Sequence, residues 1–161
     1  MESDKNQDST NAAAKSNQEK NENLWQDVRA HLSQDQFDFT DAEIDKECQT
    51  VQDAFEEAKD KHEPKQAVGV IFIPTCQHIF VVHTLTPSEF MKHQKALADA
   101  KAGKLGGSIG TFVQVSLDYP RLNISELKEG SQTMRGGHLA ALAMQVGRFS
   151  GFTEEGEIKN Y

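Results

Sequence analysis

Six histidines and two cysteines are the side chains of this 161-residue chain best suited to proton transfer, metal binding or nucleophilic attack. The histidines are His31, His62, His78, His83, His93 and His138. A helical zinc site places two imidazoles on one face, as in H-x-x-x-H or H-E-x-x-H. No two histidines here have that spacing, so we expect no metal ion and no cofactor.

Cys76 is the candidate nucleophile, because it precedes His78 by two residues. A catalytic Cys–His pair also needs an orienting third group and an oxyanion hole, and no sequence pattern supplies either one. We therefore predict no catalytic residue and a protein that is not an enzyme. The alternative is a small intracellular enzyme that uses Cys76 with a nearby histidine.

The glycine-rich segment Lys101–Gly110 reads KAGKLGGSIG and could be mistaken for a phosphate-binding loop. It contains neither G-x-x-x-x-G-K-[ST] nor G-x-G-x-x-G, the two patterns that place backbone N–H groups around phosphates. We interpret it as a flexible connection.

Charge is distributed unevenly along the chain. Residues 1–65 hold 8 basic and 17 acidic side chains, whereas residues 66–161 hold 9 basic and 8 acidic ones. An acidic segment repels phosphate backbones, so we expect no direct nucleic-acid binding. The chain has no apolar run of about 18 residues and its N-terminus has no apolar signal region, so we expect a soluble intracellular protein that does not enter a membrane.

The first predicted segment is a tail at residues 1–22 that is either disordered or ordered by a partner. An acidic helical arm over residues 23–65 follows it. Leu24, Val28 and Leu32 share one helical face. Thr40 and Glu43 have the spacing of a capping box, which predicts a second helix over residues 41–61. Its apolar stripe continues through Cys48, which we expect to be a small core residue.

The apolar side chains of this arm either pack on the following domain or bind partner subunits, since a lone amphipathic helix must cover its apolar face, and we predict that they bind partners. The predicted partner-binding residues are Leu24, Trp25, Val28, Leu32, Ile44, Val51 and Phe55.

Residues 66–152 are predicted to form an α+β body, followed by a tail at 153–161. Two β-rich runs, 66–73 and 78–84, indicate a hairpin covered by helices. A capping box at Thr86 begins a helix to about residue 102, and one or two helical turns are expected at 124–129. A last helix is predicted over residues 131–149, and two glycines near its start could delay that start to His138. The run 111–117, TFVQVSL, fits either a third strand or a buried helical turn.

Three short motifs within residues 78–152 resemble those of small tailed-bacteriophage proteins of the tail-assembly or baseplate-accessory kind. They are the Leu-Thr-Pro-Ser-Glu-Phe helix start at 85–90, Leu-Asp-Tyr-Pro at 117–120, and the closing Ser-Gly-Phe at 150–152. Asp118 interrupts the Leu-Tyr-Pro step of that pattern. The resemblance implies a non-catalytic virion component or assembly factor, located in the virion or the host cytoplasm.

These observations together predict a structural or assembly protein of a multi-subunit particle that docks through its N-terminal arm. The expected partners are other protein subunits, with association between copies of this chain left open. A second alternative is a regulatory adaptor whose acidic arm binds a basic protein surface.

Overall fold

The structure is a computed structural model that describes residues 21–102, 107–128, 131, 134 and 137–151. Within these residues, five α-helices accompany a three-stranded antiparallel sheet, which confirms the predicted α+β class. The predicted C-terminal tail lies outside the described residues. So does the predicted N-terminal tail, except for its last two residues, which are helical.

The chain divides into two compact units, residues 1–48 with 161 and residues 49–160. In the first unit, helix α1 covers residues 21–32 and a short 3-10 turn covers Asp35–Phe37. An exposed ion pair joins Arg29 of α1 to Asp45, with 2.7 Å between guanidinium and carboxylate. We assign this pair little stability, because water screens exposed charges.

Helix α2 spans Asp41–His62 and begins at the predicted capping box. The Thr40 N–H donates to Glu43 Oε2 at 2.8 Å, and the Glu43 N–H donates to Thr40 Oγ1 at 3.2 Å. Both donors belong to the first turn, where no helical carbonyl is available. The helix ends before Pro64, as predicted.

Burial of the arm requires a correction to its predicted role. Six of the seven predicted partner-binding side chains are at most 5% exposed in the single chain, and the seventh, Trp25, is half-buried. The six are Leu24, Val28, Leu32, Ile44, Val51 and Phe55. Their apolar surface is already removed from water, so it is not a docking surface that a partner subunit must cover.

The predicted hairpin is present as strands β1, Val68–Phe72, and β2, Ile79–His83. They pair antiparallel with Val70 opposite Val81. The third strand, β3, covers Leu117–Tyr119 and pairs with the other edge of β2. All residues of β2 are buried, because neighbouring strands and helices cover this central strand on every side.

Helix α4, Gly107–Ser116, resolves the ambiguous run at 111–117 as helix up to its last residue. Ile109, Phe112 and Val113 are fully buried at helical spacing. The period becomes visible only when Ile109, outside the β-rich run, is counted. The end of the predicted flexible connection is therefore helical, whereas residues 103–106 lie outside the described part of the chain.

Two further helices complete the body. Helix α3 spans Pro87–Lys101 and starts at the predicted Thr86 capping box. Helix α5 spans His138–Phe149 and is followed by Gly151 at φ 81°, a conformation that favours glycine. Residues 124–127 form a single turn, in agreement with the one or two helical turns expected there, and Asn123 Oδ1 accepts from the Glu126 N–H at 2.9 Å.

One apolar core joins the sheet to α3, α4 and α5. The largest fully buried side chains of this core are Phe80, Phe112, Ile109, Leu127, Met134 and Leu142. This packing holds β2 and β3 in place, and the candidate site lies on those two strands.

Replacing Gly110 by alanine is expected to destabilise the protein, although the same change in an open helix stabilises by about 1 kcal/mol. A Cβ at this position would lie 2.6 Å from the backbone oxygen of Leu127. Relieving that overlap should cost about 1–3 kcal/mol. Urea unfolding measures the change, with Thr111→Ala on the exposed side of the same helix as control. A stabilised Gly110→Ala variant would contradict the prediction.

Candidate functional site

Three polar side chains from three elements meet at one end of the sheet. His62 ends α2, His83 ends β2, and Asp118 lies in β3. The distance from His62 Nε2 to Asp118 Oδ1 is 2.9 Å, and that from His83 Nδ1 to Asp118 Oδ2 is 2.8 Å. With a proton on each of these nitrogens, both imidazoles donate to one carboxylate. We call these three residues the His–His–Asp cluster.

A β-bulge directs Asp118 toward the histidines. Val82 of β2 pairs with Leu117, and the adjacent Val81 pairs with Tyr119. Asp118 therefore has no partner in β2 and is the extra residue of the bulge. Bulges redirect side chains in this way and are frequent beside functional sites. The buried Ser116 hydroxyl donates to the His83 carbonyl oxygen at 2.5 Å and ties the start of β3 to the end of β2.

The two imidazole rings of the cluster stack on each other. Their centroids are 3.8 Å apart and their planes differ by 22°.

Burial alone would raise the pKa of Asp118, but the hydrogen bonds and charge of His83 and His62 outweigh the effect of burial and lower that pKa below its usual value. The cluster therefore holds an ionised carboxylate between two imidazoles at neutral pH.

A groove of about 590 Å³ reaches the Asp118 side of the cluster. It runs between α2 and β3, and its charged lining includes Asp53, Glu57, Lys61 and Arg121. The side chains of the cluster are 10–13% exposed, so small solutes and ions can reach them.

This arrangement offers two imidazole nitrogens and one carboxylate oxygen, which lie within 4.8 Å of one another. Such groups can bind a transition metal. In the described part of the chain, it is the one group of three or more histidine, cysteine or acidic side chains placed to hold a metal ion.

Local spacing could not reveal the cluster, because 21 residues separate its two histidines along the chain and 35 separate His83 from Asp118. A usable signal was the presence of a histidine and an aspartate in segments otherwise rich in apolar and β-branched residues. Buried polar side chains are more informative than exposed ones, since they need partners.

The candidate nucleophile Cys76 is a core residue. Cys76 is 2% exposed and packs in the apolar core. Burial raises the pKa of its thiol, and a hydrogen bond from the His78 backbone offsets only part of that effect. The thiolate that catalysis needs is therefore disfavoured, which argues against the alternative of an enzyme based on Cys76. Cys48, predicted to be in the core, is only half-buried.

Thiol labelling should separate the two cysteines. We expect a disulfide reagent at pH 8 to modify Cys48 at least about a hundredfold faster than Cys76, because Cys76 reacts only after local opening. The variant Cys48→Ser isolates the Cys76 reaction, and urea-unfolded protein shows the unprotected rate. Native Cys76 that reacts at that unprotected rate would contradict the assignment.

None of the helices in the described part of the chain is both long enough and apolar enough to cross a membrane.

Comparison with known proteins identifies no relative: neither a protein-family model, nor a curated protein, nor a solved structure matches the chain.

Proposed function

We propose that this chain is a non-enzymatic structural or assembly protein of a multi-subunit particle, of the kind found in tailed bacteriophages. It docks through charge on helix α2 onto a basic surface of a neighbouring subunit. The observation that carries the proposal is the acidic face of α2, defined as Asp53, Glu56, Glu57 and Asp60. All four carboxylates are exposed, whereas Phe55 and Ala58 of the same helical turns are buried.

Electrostatics favour a basic protein as the partner. Helix α2 carries 8 acidic and 3 basic side chains in 22 residues. Such a surface accelerates encounter with a positive patch and repels phosphate backbones. Exposed pairs such as Arg121 with Glu57, 3.5 Å apart, neutralise little of it.

The phage-like motifs have framework roles that agree with a non-catalytic function. The Thr86 N–H donates to Glu89 Oε1 at 3.0 Å, and this capping bond stabilises the start of α3. The Leu85 N–H donates to Ser150 Oγ at 3.0 Å, which ties the strand exit to the end of α5. Among the motif residues, Asp118 alone takes part in a cluster of titratable groups.

The proposal is tested by cross-linking mass spectrometry on the native protein in its source particle. We expect cross-links from the acidic face to a basic surface of an identified subunit. The variant D53N/E56Q/E57Q/D60N should bind that subunit at least about tenfold more weakly, since each exposed charge pair contributes about 0.2–1 kcal/mol.

A matched control removes four exposed carboxylates from other positions, E22Q/D35N/D41N/E63Q. Binding should also weaken as salt rises from 0.05 to about 0.5 M, because screening shortens the reach of the charges. Equal loss in both variants, or a chain that is monomeric in its source, would overturn the proposal. A single soluble partner instead of a particle would favour the adaptor alternative.

A further inference from the structure

We propose that the His–His–Asp cluster is a binding site for a divalent transition-metal ion, with zinc as the best match. This inference is independent of the proposed docking function, because it concerns groups that the acidic face does not include. It rests on the identity, placement and accessibility of His62, His83 and Asp118.

The donor set selects the class of metal. Two imidazole nitrogens and one carboxylate oxygen suit zinc and neighbouring transition metals, whereas magnesium and calcium prefer oxygen ligands alone. The three ligands come from three elements of one packed unit, the ends of α2 and β2 and the bulge of β3. Such a site is organised by tertiary structure and needs no local motif.

The geometry is close to that of a metal site. Zinc lies about 2.0–2.1 Å from nitrogen and oxygen ligands, so tetrahedral ligands are about 3.3 Å apart. Here the imidazole nitrogens lie 2.8 and 2.9 Å from the carboxylate oxygens of Asp118. The three ligand atoms, which lie within 4.8 Å of one another, would have to move to about 3.3 Å apart for the ion to take the place of the two shared protons.

The groove also provides an entry path for an ion. The groove beside α2 reaches Asp118, and the three side chains are each about one-tenth exposed. Three protein ligands leave a fourth position, which water or a small ligand would occupy from the groove. Lys61 and Arg121 line that groove together with Asp53 and Glu57, so its charged lining carries both signs.

Titration calorimetry with zinc tests the inference on the full chain, with cobalt as a spectroscopic probe. We expect one ion per chain and visible absorption typical of tetrahedral cobalt. The variants His83→Gln and Asp118→Asn should each weaken zinc binding at least about tenfold, since loss of even an outer-shell partner has that effect. The matched controls His93→Gln and Asp35→Asn should bind zinc like the unmodified chain.

A measurement without variants covers the case in which a substitution unfolds the protein. In NMR spectra of the unmodified chain, zinc should shift the imidazole signals of His62 and His83 and leave that of His93 unchanged. Magnesium should shift none of them. Absence of saturable zinc binding, or zinc shifts at other histidines with the cluster signals unmoved, would overturn the proposal.

Discussion

Replacing Phe80 by alanine is expected to lower the free energy of unfolding by about 3–5 kcal/mol. Phe80 is fully buried in the central strand β2, where it pairs opposite Ile71 of β1 and belongs to the main core. Removing the ring loses its burial and leaves a cavity that paired strands cannot close. Most small domains have only 5–15 kcal/mol of stability, so this variant should be close to unfolding.

The control for this prediction is Met91→Ala on α3. Met91 is 73% exposed, so the change should stay within about 0.5 kcal/mol. Urea unfolding followed by circular dichroism measures both variants. A Phe80→Ala loss below about 1 kcal/mol would mean that β2 is not the centre of the core.

Replacing Asp118 by alanine should have the second-largest effect, a loss of about 2–4 kcal/mol in metal-free protein. The substitution removes the acceptor of two imidazole N–H groups, and each buried donor left without a partner costs about 1–3 kcal/mol. Because His62 and His83 are partly exposed, water can accept some of the hydrogen bonds that Asp118 no longer accepts, which reduces the loss of stability. Asp118→Asn keeps one acceptor oxygen and should lose less.

Urea unfolding with a chelator present measures these variants, and Asp53→Ala, an exposed groove residue, is the control. Folding lowers the pKa of Asp118, so the stabilisation by its carboxylate is complete above the unfolded-state pKa of about 3.9. It is lost as the pH falls through the lower folded-state pKa. The difference between unmodified protein and Asp118→Asn should therefore shrink below about pH 4. A difference that stays constant down to pH 2 would contradict this linkage.

The elements predicted correctly are those specified by neighbouring residues. The capping boxes at Thr40 and Thr86 form because each partner lies three residues away, within reach of the same helical turn. The hairpin follows from two β-rich runs joined by a short turn. The delayed start of α5 at His138 follows from the low helix propensity of two glycines.

The arm and α4 show where local patterns were insufficient. An amphipathic stripe indicates that a helix face becomes buried, but it does not specify whether the same chain or a partner covers it. Leu24, Val28 and Phe55 are covered without a partner. The run at 111–117 has strand propensity, yet residues 111–116 are helical in the structure. Phe112 and Val113 pack in the core from this helix, so tertiary packing outweighs the local propensity.

Sequence reading alone established the α+β class, the helix starts and the acidic character of α2, because these depend on composition and on contacts within a few residues. The His–His–Asp cluster required the folded chain. His62, His83 and Asp118 meet because α2 ends beside β2, because β3 pairs with β2, and because one bulge residue turns a carboxylate toward two imidazoles. Long-range packing sets the positions of these three residues, so their spacing along the chain does not predict that they meet.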